Sequence, residues 1–78
     1  MQEIKSDYLL DLKGVPCPMN FVKTKLKLEE MKINEVLEVI LDDGDPIQNV
    51  SSSVKEEGHK ILKVEKINDH WGLFIRRQ

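Results

Sequence analysis

The sequence predicts an α+β fold, a two-layer α/β sandwich in which two helices cover one face of a mixed four-stranded sheet. Apolar runs with strand character alternate with two segments of helical periodicity, in the order β-α-β-α-β-β. Helical crossovers usually join parallel strands, and a short turn at Asn68-Asp69 favours an antiparallel hairpin for the last two strands. A chain of 78 residues supplies one thin core, so we expect a single domain over residues 1–78 without an enclosed active-site cavity.

The first strand is predicted over residues 8–12, and the Gly and Pro residues of the segment 13–16 end it. Pro18 is followed by good helix formers as far as Met31, and proline is favoured at the first position of a helix. We therefore predict that helix one begins at Pro18 and that Cys17 is its N-cap residue.

Helix one carries two apolar faces. The first is formed by Phe21, Thr24, Leu28 and Met31, and the second by Met19, Val22 and Leu26. One face can pack on the sheet. The second is either the edge of a wide core face or a docking strip for a partner protein. The nearby lysines form either a solvated face or a site of electrostatic docking with acidic partners.

The remaining elements follow from similar patterns. An inner second strand is predicted over residues 35–41, with Asp45 as the N-cap and Pro46 as the first residue of helix two. Gly58 suits the position just past that helix. Strands three and four are predicted over residues 59–67 and 71–76, with a turn of two to four residues and with Arg76-Arg77 ending an edge strand.

The composition excludes several classes of protein. Twelve Lys and Arg against 14 Asp and Glu give a net charge of −2, so we expect no direct contact with nucleic acid. No apolar run approaches a membrane span, and the first residues are polar and lack a signal-peptide core, so we expect a cytoplasmic protein without membrane contact. A single cysteine excludes an internal disulfide. We expect no metal site and no cofactor.

Cys17 is the candidate for chemistry. A lone cysteine is often an inert small hydrophobe. Here it is flanked by Pro16 and Pro18 and opens a helix, where free N–H groups and the helix dipole lower the pKa of a thiol. No second cysteine is available to resolve a disulfide, and His59 and His70 are expected at the surface without a role as base. A persulfide, received from one partner and passed to another, fits a single exposed sulfur.

The segment from Asp11 to Pro18, Asp-Leu-Lys-Gly-Val-Pro-Cys-Pro, followed by a lysine-rich helix, resembles the TusA/SirA-like sulfurtransferase family. The hallmark of that family is Gly-x-x-Cys-Pro-x-Pro at the start of the first helix. The resemblance continues through Glu35–Val39, Asp45-Pro46 and Gly58-His59. It implies a β-α-β-α-β-β sandwich and a sulfur carrier, with persulfide sulfur on the motif cysteine. Asn20 stands where the family has its second motif proline.

The resemblance implies that Cys17 accepts sulfur from a donor protein, a cysteine desulfurase or a rhodanese-like protein. Cys17 then relays it to an acceptor protein, in tRNA thiolation or another sulfur-trafficking pathway. Gly14, Pro16, Pro18, Met19 and Asn20 are expected to shape the turn or stabilise the anion. Docking is expected at Met19, Val22, Lys23 and Leu26.

A different class of function uses the same fold as a non-catalytic interaction or regulatory module with a buried sulfur. A third hypothesis is a domain that contacts RNA, which the net charge of −2 disfavours. The sequence leaves the pathway open, as well as the choice between sulfur and selenium. A monomer and a weak dimer are both compatible with its small size.

Overall fold

The structure, a computed structural model, describes residues 5–16 and 19–78. Its elements are β1 (Tyr8–Asp11), α1 (Met19–Glu30), β2 (Val36–Asp42), α2 (Asp45–Glu56), β3 (Lys60–Ile67) and β4 (His70–Arg76). This order and the mixed sheet confirm the predicted fold class. The predicted helix start at Pro18 falls outside the described residues.

The strands lie in the order β1-β2-β4-β3. β1 is parallel to β2, and β4 is antiparallel to both β2 and β3. The predicted inner position of the second strand is confirmed. The prediction that Arg76-Arg77 end an edge strand is wrong, because β4 inserts between β2 and β3. The hairpin pairing alone does not reveal this insertion, because the second partner of β4 lies far away in the sequence.

The core lies on one face of the sheet. Leu37, Val39 and Leu41 alternate along β2 and are fully buried, and their side chains share a face because strand periodicity is two. Ile75 and Leu73 of β4 lie opposite Leu37 and Val39 and extend the same layer.

Both helices pack on this layer. The buried cluster includes Leu28 from the last part of α1, Met31 directly after that helix, and Ile47, Val50 and Val54 from α2. Thr24 is buried, and the half-buried Phe21 packs against the cluster. The face predicted from Phe21, Thr24, Leu28 and Met31 is therefore the core face of α1.

The start of α2 differs from its prediction by one residue. Gly44, and not Asp45, is the N-cap residue, with φ 95° and no side-chain hydrogen bond to the cap. The positive φ of Gly44 turns the chain one residue early, so Asp45 already belongs to the helix. The Asp45 carboxylate lies in the first turn, where its negative charge interacts favourably with the positive end of the helix dipole and stabilises the helix.

The end of α2 agrees with the sequence. Gly58 has φ 90° and its N–H donates to the Lys55 carbonyl at 3.0 Å. The His59 N–H donates to the Val54 carbonyl at 3.2 Å. These two bonds form a Schellman motif, which confirms Gly58 just past the helix.

The β3–β4 turn has the shortest length in the predicted range of two to four residues. Ile67 pairs with His70, so the turn has two residues, Asn68 and Asp69. Asn68 has φ 56°, and the favoured two-residue hairpin turns need positive φ at this first position. Within residues 5–16 and 19–78, neither helix has the length and apolar character needed to cross a bilayer.

Candidate functional site

The predicted reactive residue lies between two described parts of the chain. Cys17 and Pro18 are outside the described residues, so the N-cap position of Cys17 and the role of Pro18 remain predictions. The residues on either side, Pro16 and Met19, are both exposed. The chain therefore lies at the surface both directly before and directly after residues 17 and 18.

The backbone donors of the loop leading to Cys17 are bonded within the loop, to β1 and to β2. The Leu12 N–H donates to the Ile40 carbonyl at 2.9 Å, and the Val15 N–H donates to the Leu12 carbonyl at 3.1 Å. The Lys13 N–H donates to Asp11 Oδ1 at 3.0 Å, which closes an Asx turn. These bonds fold the loop back on the end of β1.

Gly14 is attached to the sheet by a side chain from a distant part of the sequence. Its N–H donates to Asp42 Oδ2 at 2.7 Å, and its φ of 79° is one that glycine adopts readily. Asp42 ends β2, and the parallel strands β1 and β2 bring their carboxyl ends to the same edge of the sheet. Each N–H from Leu12 to Val15 therefore has a partner, and Pro16 has no N–H to offer.

The helix after Cys17 is hydrogen-bonded back to the loop. The Asn20 N–H donates to the Pro16 carbonyl at 3.2 Å, with the i to i−4 spacing of an α-helix. This bond spans the two residues that the structure does not describe. The helical hydrogen-bond pattern of α1 thus reaches the residue directly before Cys17.

Asn20 was expected to present its amide near the sulfur, and the structure places its side chain in the interior, with 0% exposure. Its Oδ1 accepts the Phe21 N–H at 2.6 Å, and the Thr24 hydroxyl donates to the Asn20 carbonyl at 2.9 Å. Among the described residues, Asn20 Nδ2 is buried without a hydrogen-bond partner. A buried donor without a partner costs about 1–3 kcal/mol of stability. A hydrogen bond from Asn20 Nδ2 to a group near the start of α1 would remove that cost.

The second apolar face of α1 is left uncovered in this chain. Met19, Val22 and Leu26 are 46%, 37% and 56% exposed, and we refer to these three residues as the helix-one strip. The buried core is completed by the Thr24–Leu28 side of the helix, and this partial exposure agrees both with an apolar edge of that core face and with a docking strip. The strip begins two residues after Cys17.

Lysines surround the strip in different ways. Lys25 Nζ lies 3.5 Å from Glu57 Oε1, and Lys27 Nζ lies 4.4 Å from the centre of the Tyr8 ring. Lys23 is exposed and makes no ion pair among the described residues. Lys23 therefore adds a positive charge beside the strip that is free to meet an acidic group.

Comparison of the chain with known protein families identifies its family. Residues 8–77 match the family described as "Sulfurtransferase TusA". The chain belongs to the TusA sulfurtransferase family. This match covers the loop, Cys17, α1 and every later element, and it confirms the resemblance noted in the sequence.

Relatives of this TusA-family chain are provisionally named as sulfur carrier proteins. One from Archaeoglobus fulgidus is 42% identical over 78 residues, covering 99% of this chain and 89% of the relative. One from Thermotoga maritima is 35% identical over 68 residues, covering 86% of each chain. The Escherichia coli K12 relative YedF is 33% identical over 66 residues, covering 85% of this chain and 86% of its own.

Solved structures show the same fold. A SirA-like protein from Desulfitobacterium hafniense superposes with a TM-score of 0.77 at 24% identity, covering 88% of this chain and 95% of the other. The solution structure of a Helicobacter pylori protein has a TM-score of 0.67 at 22% identity, covering 90% and 96% of the two chains. The sandwich of this TusA-family chain is therefore shared with distant sequences.

The histidines of this TusA-family chain make contacts elsewhere. His59 Nδ1 accepts the Gln78 N–H at 3.2 Å, and His70 Nδ1 lies 3.3 Å from Asp69 Oδ1. In the part of the chain that the structure describes, neither ring is bonded to the loop before Cys17, and no three His, Cys, Asp or Glu residues are grouped to hold a metal ion. Both rings are half-buried, a little less exposed than expected.

Sequence reasoning missed the role of the acidic residues after β2. In this region the sequence predicts only a helix cap at Asp45, whereas in the structure Asp42 binds the loop and Asp43 Oδ1 accepts the Trp71 indole N–H at 2.7 Å. That bond, followed by smaller effects including the nearby Lys66 ammonium, lowers the pKa of Asp43 below its ordinary value. The available signal was the parallel pairing of β1 and β2, which places the ends of both strands together.

An open cleft of about 530 Å³ lies between α2 and the β3–β4 hairpin. Trp71, Val64 and Ile47 provide its apolar surface, and α2 adds Gln48, Ser51 and Ser52. Its other lining residues are Asp43 and Gly44. Asp43 follows Asp42 in the sequence, so one end of the cleft lies close to the hydrogen bond between Asp42 and Gly14.

Proposed function

We propose that this TusA-family chain is a sulfurtransferase that carries persulfide sulfur on Cys17 and relays it between two proteins. The observation that supports the proposal is the exposure of Pro16 and Met19, the described residues on either side of the segment that holds Cys17, in a chain whose relatives are provisionally named as sulfur carriers. A sulfur that two successive partners must reach needs an exposed surface around it.

The transfer requires only one thiolate on this chain. The Cys17 thiolate attacks the outer sulfur of a donor persulfide, the donor S–S bond breaks, and the donor cysteine leaves as a thiolate. The new S–S bond lies on Cys17, and no net oxidation or reduction occurs. The terminal sulfur then passes to an acceptor thiolate by the same exchange, which restores the Cys17 thiolate.

The start of α1 is the proposed source of anion stabilisation. Since the N–H groups of residues 12–15 are already bonded, the donors for a sulfur anion come from the helix itself. The buried Asn20 Nδ2 has no hydrogen-bond partner among the residues that the structure describes. We assign Asn20 and the first-turn backbone the role of favouring the anionic sulfur, while Gly14, Pro16 and Pro18 shape the approach to it.

The helix-one strip and Lys23 are the proposed docking surface. An exposed apolar strip flanked by a free positive charge suits a partner surface with an apolar centre and an acidic rim. The donor, a cysteine desulfurase or rhodanese-like protein, and the acceptor, in tRNA thiolation or another sulfur-trafficking pathway, would each bring their reactive group to Cys17 beside this strip.

The proposal is tested by loading the protein with sulfur. Incubation with a cysteine desulfurase and free cysteine should add the mass of one sulfur atom to the intact protein, and a reducing agent should remove it. Cys17→Ser should remain unmodified because hydroxyl oxygen does not form the persulfide. A wild-type protein that gains no sulfur from either a desulfurase or a rhodanese would contradict the proposal.

The alternative, a non-catalytic interaction module with a buried sulfur, predicts a different thiol. In that case iodoacetamide would modify native Cys17 slowly at every pH, or only near the ordinary thiol pKa of about 8.5. Rapid alkylation below that pH would favour the sulfur carrier.

A further inference from the structure

One side-chain carboxylate from a distant part of the sequence binds the loop before Cys17, in addition to the Leu12 N–H bond to the Ile40 carbonyl and the packing of Val15 against the core. Asp42 lies 28 residues after Gly14 in sequence, and its Oδ2 accepts the Gly14 N–H at 2.7 Å. A hydrogen bond to an ionised carboxylate is shorter and stronger than one between neutral groups. The N–H groups of Lys13 and Val15 bond only to Asp11 and Leu12, so among the described residues Asp42 is the only distant side chain that hydrogen-bonds this loop.

We propose that Asp42 is a positioning residue, which fixes the direction in which residues 13–16 lead toward the segment that holds Cys17. The use of that direction rests on the proposed function. The restraint on the loop does not depend on sulfur transfer. Asp42 acts through Gly14 and does not contact the sulfur in the proposed reaction.

The restraint at Gly14 reaches Cys17 because the intervening residues have little freedom. The N–H of Val15 is bonded to the Leu12 carbonyl, and the ring of Pro16 fixes its own φ. On the far side, the Pro16 carbonyl accepts the Asn20 N–H. A shift of Gly14 therefore moves the residue that both precedes Cys17 and accepts the first described hydrogen bond from α1.

The neighbouring residue provides a matched control. Asp43 carries the same charge one position later, but its carboxylate accepts the Trp71 indole N–H and makes no described bond to the loop. Asp43→Asn removes a negative charge from the same end of β2 and leaves the Gly14 contact in place. Asp42→Ala removes both the charge and the acceptor, whereas Asp42→Asn removes the charge and keeps an acceptor oxygen.

The experiment combines amide hydrogen exchange with the pH profile of Cys17 alkylation by iodoacetamide in the full chain. In Asp42→Ala we expect Gly14 exchange to accelerate about tenfold, as for the loss of a charge-assisted hydrogen bond. We also expect the alkylation midpoint to move to higher pH relative to Asp43→Asn. Asp42→Asn should give a smaller change in both measurements, since its amide oxygen still accepts the Gly14 N–H.

Two results would overturn the inference. The first is unchanged Gly14 exchange in Asp42→Ala. The second is faster exchange with an alkylation profile that matches Asp43→Asn, since the loop would then move without consequence for Cys17. If Asp42→Ala fails to fold, the same comparison between Asp42→Asn and Asp43→Asn decides the question. Alkylation needs no sulfur donor, so these results stand whether or not the protein is loaded with sulfur.

Discussion

Asn20 is the residue at which this chain departs from its family motif, and its surroundings explain how an amide is accommodated there. The side chain is fully buried, and its Oδ1 accepts the Phe21 N–H. Its backbone N–H bonds to Pro16, a bond that a proline at this position could not make. The substitution therefore adds two hydrogen bonds to the start of α1 and leaves one buried amide donor unpaired among the described residues.

The proposed role of that donor can be separated from its structural role. In Asn20→Ala we expect the midpoint of Cys17 alkylation to rise by about one pH unit. This is the shift produced by losing a hydrogen bond to a charged group. The measurement is the rate of iodoacetamide modification from neutral to alkaline pH.

Thr24→Val is the matched control for this prediction. Thr24 is buried one turn later in α1, and its hydroxyl donates to the Asn20 carbonyl. Its loss should change the thermal midpoint and leave the alkylation profile in place. An alkylation profile that Asn20→Ala leaves unmoved would show that the amide serves the fold alone.

At the scale of the element, α1 divides its surface between two tasks. The side bearing Thr24 and Leu28 is buried against the sheet, while the helix-one strip is exposed. The sequence predicted both faces from their spacing but could not assign them, because either stripe has enough apolar residues to pack on a sheet. Only the tertiary arrangement, in which α1 also lies beside α2, decides which stripe is covered.

A charge on the strip should impair docking without affecting the fold. Leu26→Asp is expected to slow sulfur loading by the desulfurase about tenfold, the effect of losing an apolar anchor at an interface. Its free energy of unfolding should change by no more than about 0.5 kcal/mol, because the side chain is exposed. Loading rates at limiting donor concentration give the first quantity, and urea denaturation gives the second.

Ile33→Asp is the control for this prediction. Ile33 is 64% exposed, lies after the end of α1 and is not part of the strip. Its substitution should leave loading unchanged. Equal slowing in both variants would argue that general surface charge, and not the strip, governs the reaction.

At the scale of the whole molecule, the inner position of β4 decides where stability is concentrated. Leu73 is fully buried in the core, whereas its register partner Val64, on the edge strand β3, is 46% exposed. The two residues face the same side of neighbouring strands. Their environments differ because the sheet ends at β3.

This pair provides a direct test of the topology. Leu73→Ala should reduce the free energy of unfolding by about 2–5 kcal/mol, as large-to-small changes in a packed core do. Val64→Ala should cost much less, since its side chain is half in solvent. Urea denaturation of both variants checks the difference, and similar losses would be inconsistent with β4 as an inner strand.

The sequence predicted the order of the elements, and their described limits to within about one residue, because periodicities of two and 3.6 residues are local signals. It did not predict the place of β4, although the consecutive apolar residues Leu73, Phe74 and Ile75 favour an inner strand. The Asp42–Gly14 bond was missed because it joins positions 28 residues apart. Cys17 could be singled out because its Gly and Pro neighbours are adjacent to it in the sequence.

The central location of β4 also has a consequence for protein synthesis. Residues 70–76 leave the ribosome after β1, α1, β2, α2 and β3, yet β2 and β3 have no partner for their facing edges until this strand arrives. The nascent chain can form helices and the β1–β2 pair early, but the completed sheet must wait for translation of its middle strand. Ribosome-bound chains halted before residue 70 should therefore remain sensitive to protease and available to chaperones.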